Sequence, residues 1–171
     1  MKKAILTLIL TAILIPAFSQ DADAMTELLS KKSATLIDLS YLVASELGME
    51  VTPFEAYTYC DRFGSFGFTE PAGTPLTAKA VSNFLMMNYG LSGGILWSTF
   101  RSPRYAWKEL KNAGFWNKGM DGDTVLSGRD IVVAMSKFFS MYPKARLINP
   151  PSSEASDRYR KALLSAKEND Q

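Results

Sequence analysis

Thr52-Pro53-Phe54-Glu55-Ala56-Tyr57 stands 50 residues before Ser102-Pro103-Arg104-Tyr105-Ala106-Trp107. The register continues without a gap: Gly64, Thr74 and Leu76 recur as Gly114, Thr124 and Leu126. Conservative pairs fill the frame, among them Thr77 with Ser127, Lys79 with Arg129, Val81 with Ile131 and Tyr89 with Phe139. The matches fall at a helix start, a helix stop and a second helix start, in that order. Repetition at this period predicts two similar supersecondary units, 51–90 and 101–140, stacked on each other.

Each unit reads as helix, loop, helix. Thr52 is an N-cap, Pro53 suits the first helical turn, and Glu55 three residues on completes a capping box. That helix ends near Gly64. Gly67, Pro71, Gly73 and Pro75 mark a loop, which Phe66 and Phe68 pin to the core. Thr77 then caps a helix from Ala78 to Tyr89, stopped by Gly90. In the second unit Ser102-Pro103 opens a helix to about Asn112, with Gly114 as its stop. Ser127 caps a helix from Gly128 to about Met141. Its Ile131, Val132, Met135, Phe138 and Phe139 share one face, and Pro143 ends it.

Outside the repeat, Met25 to Leu47 predicts one long helix, because leucines and Val43 recur at helical spacing up to Gly48. Leu91 to Phe100 is a connector. Gly93-Gly94 permits a tight turn or a close backbone contact. Ile95, Leu96 and Trp97 are too apolar for a free linker, so the units share a core there. Pro150-Pro151-Ser152-Ser153 is a linker into a charged tail, 150–171, whose residues 154–167 are a loosely docked helix or a mobile segment. Strand signals are poor throughout. The expected fold is all-α: five or six helices in a domain spanning 20–149, two helix-loop-helix modules packed with an N-terminal helix.

Residues 1–19 read as a signal peptide. Lys2 and Lys3 form its charged region, Ala4 to Ile15 its apolar region, and Ala17-Phe18-Ser19 a cleavage site before Gln20. The apolar run is short for a bilayer span of about 20 residues. The expectation is an exported protein, periplasmic, cell-surface or secreted, with no membrane span after cleavage. Cys60 is the one cysteine, so no intramolecular disulfide forms and a buried, inert thiol is expected.

From Gln20 to Phe100 there are four basic and nine acidic residues; from Arg101 to Asn149 there are nine basic and four acidic. The units are therefore oppositely charged. They attract each other within one molecule or head to tail between molecules, or the second unit offers an anion-binding face. The balance of the whole and the lack of a basic run argue against nucleic acid as a partner.

The chain has no histidine. That removes the commonest general base, His-dependent triads and most zinc sites. No phosphate-binding glycine loop is present. Glu46, Glu50 and Glu55 are better explained as solvated helix faces than as a carboxylate pair. The reading is therefore not an enzyme, with no cofactor and no catalytic residue. Asp121, Asp123, Ser127 and Asp130 partly fit a calcium loop, but Gly119 stands at its first position and Thr124 where a glycine is required. A plain turn before a capped helix accounts for the same residues, and no metal site is assigned.

Tyr105-Ala106-Trp107, Gly114-Phe115, Asp121-Gly122 and Leu126-Ser127-Gly128-Arg129-Asp130 together resemble an S-layer homology module. Ala56-Tyr57, Gly64 and Leu76-Thr77 carry a fainter likeness in the first unit. The family's arginine position is occupied by Gly128 and Ala78, with Arg129 and Lys79 one place later. Three such units usually build a cell-wall polymer site; the sequence displays two. The resemblance implies a helical, surface-associated protein that binds a cell-wall glycan or other envelope component. The residues it points to are Trp107, Ser127, Arg129 and Asp130. Trp107 would stack on a sugar face and Arg129 would pair with an anionic group. The same residues also read structurally, as a core tryptophan, a cap and a local ion pair. The alternatives are a structural or assembly protein that self-associates, and a calcium-binding module.

Overall fold

A computed structural model of the chain describes residues 22–49, 51–63, 71–148 and residue 161. The predicted signal peptide, Gly64 with the two loop phenylalanines, and the Pro150 linker lie outside the described residues. Those described form an all-α protein. Its helices are α1 (22–30), α2 (Leu36–Glu46), α3 (Pro53–Phe63), α4 (Ala78–Asn88), α5 (Ile95–Phe100), α6 (Pro103–Asn112) and α7 (Gly128–Met141).

The expected caps form. The Thr52 amide donates to Glu55 Oε2 at 2.8 Å, and the Glu55 amide to Thr52 Oγ1 at 3.3 Å. Thr77 Oγ1 accepts from the Ala80 amide at 3.3 Å. Helices α2, α4 and α6 each stop two residues before a glycine with positive φ: Gly48 at 70°, Gly90 at 62° and Gly114 at 78°. That conformation is one that only glycine adopts cheaply. The end of α6 is also held by the second helix of its own unit. Lys137 Nζ, on α7, donates to the Gly114 and Phe115 carbonyls at 2.9 and 2.6 Å.

The helix expected over 25–47 is two helices. The chain leaves helical geometry at 31–35 and restarts at α2. Thr35 is extended, and both its amide and its hydroxyl donate to Asp38 Oδ2, at 2.8 and 2.9 Å. In an unbroken helix Ala34 would spend its amide and carbonyl on its own neighbours. Instead the Ala34 amide donates to the Leu126 carbonyl at 2.8 Å, and the Ala34 carbonyl accepts from the Leu76 amide at 2.8 Å. The Leu126 amide donates to the Leu76 carbonyl at 2.9 Å, which closes a ring of three backbone hydrogen bonds. All three residues are buried. Each immediately precedes an N-cap, at Thr35, Thr77 and Ser127. Thus three capped helix starts, not two, leave one buried junction.

Packing also crosses the units that the sequence delimits. The principal helix contacts are α2 with α3, α4 with α6, α5 with α6 and α2 with α7. An aromatic cluster closes the far end of the core. Tyr89 lies 4.9 Å from Phe138 and 5.7 Å from Phe139, ring centre to ring centre, and Phe115 meets Trp116 at 4.7 Å. Trp116 Nε1 donates to the buried Ser82 hydroxyl at 2.7 Å, tying the 115–116 turn to α4. After α7 the chain returns to α4, where the Ile148 amide donates to the Asn88 carbonyl at 2.8 Å.

The connector differs from expectation in one respect: residues 95–100 form the short helix α5. Trp97 is its buried anchor. A Cβ on Gly93 would stand 2.7 Å from Trp97 Cδ1, so the close backbone contact expected there is real.

Candidate functional site

Ser127 and Asp130 meet at the start of α7. The Ser127 hydroxyl and amide donate to Asp130 Oδ2 at 2.6 and 2.9 Å, and the Asp130 amide donates to Ser127 Oγ at 3.2 Å. Both polar groups are thus engaged in a capping box, which satisfies first-turn amides that the helix itself leaves open. Arg129 lies between them, exposed, and has no ion pair among the described residues.

Gly128 explains why the cation stands at 129. A Cβ at Gly128 would fall 1.7 Å from the Leu28 carbonyl oxygen, and the Gly128 amide donates to the Lys31 carbonyl at 3.0 Å. The first helical residue at each start faces inward: Leu36, Ala78 and Gly128 are all buried. No arginine fits such a position, whereas the next residue opens to solvent at Arg129. In the first unit the matching Lys79 forms an ion pair with Asp123. It is therefore a strut between α4 and the 121–125 turn.

Trp107 belongs to a different neighbourhood. It is half-buried on α6 against the core. A Cβ at Gly122 would lie 3.1 Å from its ring, so the turn backbone rests on the indole. Lys111 Nζ sits 4.5 Å from the ring centre, a cation–π distance, and donates to the Met120 carbonyl at 2.8 Å. Trp107 Nε1 is buried with no hydrogen-bond partner among the described residues. The Gly122 and Thr124 carbonyls accept from the Lys79 and Ala78 amides at 2.9 and 3.0 Å. Trp107 thus adjoins the start of α4, while Ser127, Arg129 and Asp130 form the start of α7.

Protein groups engage both aspartates of the 121–123 turn. Asp121 Oδ1 accepts from the Asp123 amide at 2.8 Å, while Asp123 is paired with Lys79. Among the described residues no three acidic, cysteine or histidine side chains gather as metal ligands would.

The perturbed ionisable groups belong to packing. Burial works to lower Lys31, but its hydrogen bond to Asp38 at 2.7 Å and the charges of Asp38 and Glu27 raise it overall. Burial pushes the Cys60 thiol up to about 12, against a smaller opposing hydrogen bond from Ser40. Burial, then the neighbouring Glu46 carboxylate, raises Tyr89.

Sequence reasoning missed the Lys31–Asp38 clasp and the Thr35 start. The signal was present, since Thr35-x-x-Asp38 repeats the pattern of Ser127-x-x-Asp130. No family model, curated protein or solved structure gives a significant match to this chain.

Proposed function

We propose that this protein is an exported, non-enzymatic module that binds an envelope component, a glycan or anionic polymer, through S-layer-homology-like units. The observation that carries the reading is the third capped helix start. Thr35-x-x-Asp38 joins Thr77 and Ser127 around one ring of backbone hydrogen bonds. It brings the capped starts at this junction to three, matching the number of units from which such assemblies build a polymer site. Arg129 supplies an exposed cation at one start, suited to a carboxylate or phosphate on the polymer. Trp107 stands half-exposed beside another. Contact points at two different starts suit an extended polymer better than a single sugar.

A pulldown with purified envelope fractions at low and high salt tests this. Retention that falls several-fold in Arg129→Ala, with unchanged melting temperature, is the expected result. No retention at either salt would overturn it.

A further inference from the structure

Helix α5 is turned inside out relative to a soluble surface helix. Trp97 anchors it to the core, yet Ile95 is 84% exposed, Leu96 50% and Phe100 61%. At about 100° per residue these three, with the exposed Thr99 between them, span roughly 140° of the outward face. Elsewhere the exposed large apolar side chains are spread over several elements. A gathered apolar face marks an interaction surface.

Its surroundings are cationic. Phe100 stacks on Tyr105 of α6 at 5.6 Å, and Lys108 Nζ lies 5.9 Å from the centre of the same tyrosine ring. Arg104 and Lys108 are four residues apart and share one face of α6. Arg101 turns the corner between the helices with φ of 41°. Arg101, Arg104 and Lys108 are exposed and have no ion pair among the described residues. The single carboxylate between residues 95 and 112 is Glu109. It is half-buried, with Oε1 placed 2.9 Å from where a Gly94 Cβ would stand. The cations beside the apolar face are therefore uncompensated.

We propose that the outward face of α5, with Arg101, Arg104 and Lys108, docks on an anionic lipid surface. Aliphatic side chains, an aromatic pair and free cations side by side match the order of acyl boundary, interface and headgroup. No described helix is long and apolar enough to cross a membrane, so the association is peripheral. The competing occupant is the acidic half of a second copy, and the experiment separates the two.

Thr99→Cys places a thiol in the middle of the face without removing its apolar residues. Buried Cys60 stays unlabelled in the folded chain. An environment-sensitive fluorophore at position 99 of the full chain is titrated with phosphatidylglycerol-containing vesicles and with phosphatidylcholine vesicles. A matching probe through Ser136→Cys on α7 reports on an unrelated exposed site. The expected result is a blue shift at 99 and none at 136, with phosphatidylglycerol only. It is lost at about 0.5 M salt, where screening acts within roughly 4 Å. Arg101→Gln and Arg104→Gln each weaken the apparent affinity roughly five-fold, and Phe100→Ser removes the shift. No shift at 99, or equal shifts at both positions, overturns the proposal. A shift at 99 that follows protein concentration and not lipid overturns it too, and assigns the face to a second copy.

Discussion

Gly128 shows how one missing side chain sets the shape of a junction. The Leu28 carbonyl occupies the volume that any Cβ would need. Gly128→Ala should destabilise the fold by ~3 kcal/mol in urea unfolding, at the upper end of overpacking penalties. Gly119→Ala, with nothing within 4 Å of its Cβ, should stay within about 1 kcal/mol of the parent. The two capping aspartates make a second contrast. Asp38 is 2% exposed and holds Thr35 and Lys31 together, whereas Asp130 is exposed and serves its own helix start. Asp38→Ala should cost about 2–3 kcal/mol and Asp130→Ala about 1 kcal/mol by the same measurement. Equal losses would mean that the Lys31 clasp contributes nothing.

The buried acids give the fold an alkaline limit. Burial pushes the Cys60 thiol up from an ordinary 9.0 to about 12, and raises Tyr89 above its ordinary 10.0. The unfolded chain therefore releases both protons at lower pH than the folded chain does. Stability from these groups is complete below about pH 9 and drains away above it. The raised Lys31 acts in the same direction, beyond its ordinary 10.5. Melting temperature should be level from pH 7 to 9 and decline from 9 to 11. A level profile to pH 11 would contradict the burial of Cys60 and Tyr89.

At the scale of elements, punctuation was legible and continuity misled. Pro53, Pro103, Thr77 and Ser127 mark starts, and Gly48, Gly90 and Gly114 mark stops, because caps and left-handed turns are local chemistry. The α1–α2 break carries no glycine or proline. Leu28 on α1 and Leu36 and Leu39 on α2 are buried and fall at helical spacing across it, so periodicity runs on where the backbone does not. The ring of Ala34, Leu76 and Leu126 was hidden for a further reason. Ala34 and Leu76 are 42 residues apart, whereas Leu76 and Leu126 are 50 apart, so a fixed period finds one pair only. Leu76→Ala and Leu126→Ala should each cost about 2–5 kcal/mol, as buried leucine truncations do, and each should unfold the protein in one transition. Two separated transitions would mean that the junction does not unite the starts.

Over the whole molecule, charge distinguishes the two halves. The first half is acidic and the second basic. Among the exposed cations of the second half that have no ion pair in the described residues, Arg129 stands at the start of α7, while Arg101, Arg104 and Lys108 gather around α5. Of the candidate residues, the sequence located the cap of Ser127 and Asp130 and the exposed Arg129. It did not separate Trp107 from them, because side chains on α6 and α7 are placed by packing across units, which leaves no local trace. The three tryptophans report on different regions: Trp97 under α5, Trp116 bonded to Ser82, and Trp107 against the Gly122 turn. The most direct test of envelope binding is therefore an indole N–H titration by NMR, with a soluble anionic cell-wall polymer added to the tryptophan-labelled protein. A saturable shift of the Trp107 signal is expected while Trp116 stays in place, with weaker saturation in Arg129→Ala. All three signals unchanged at the highest polymer concentration would contradict it.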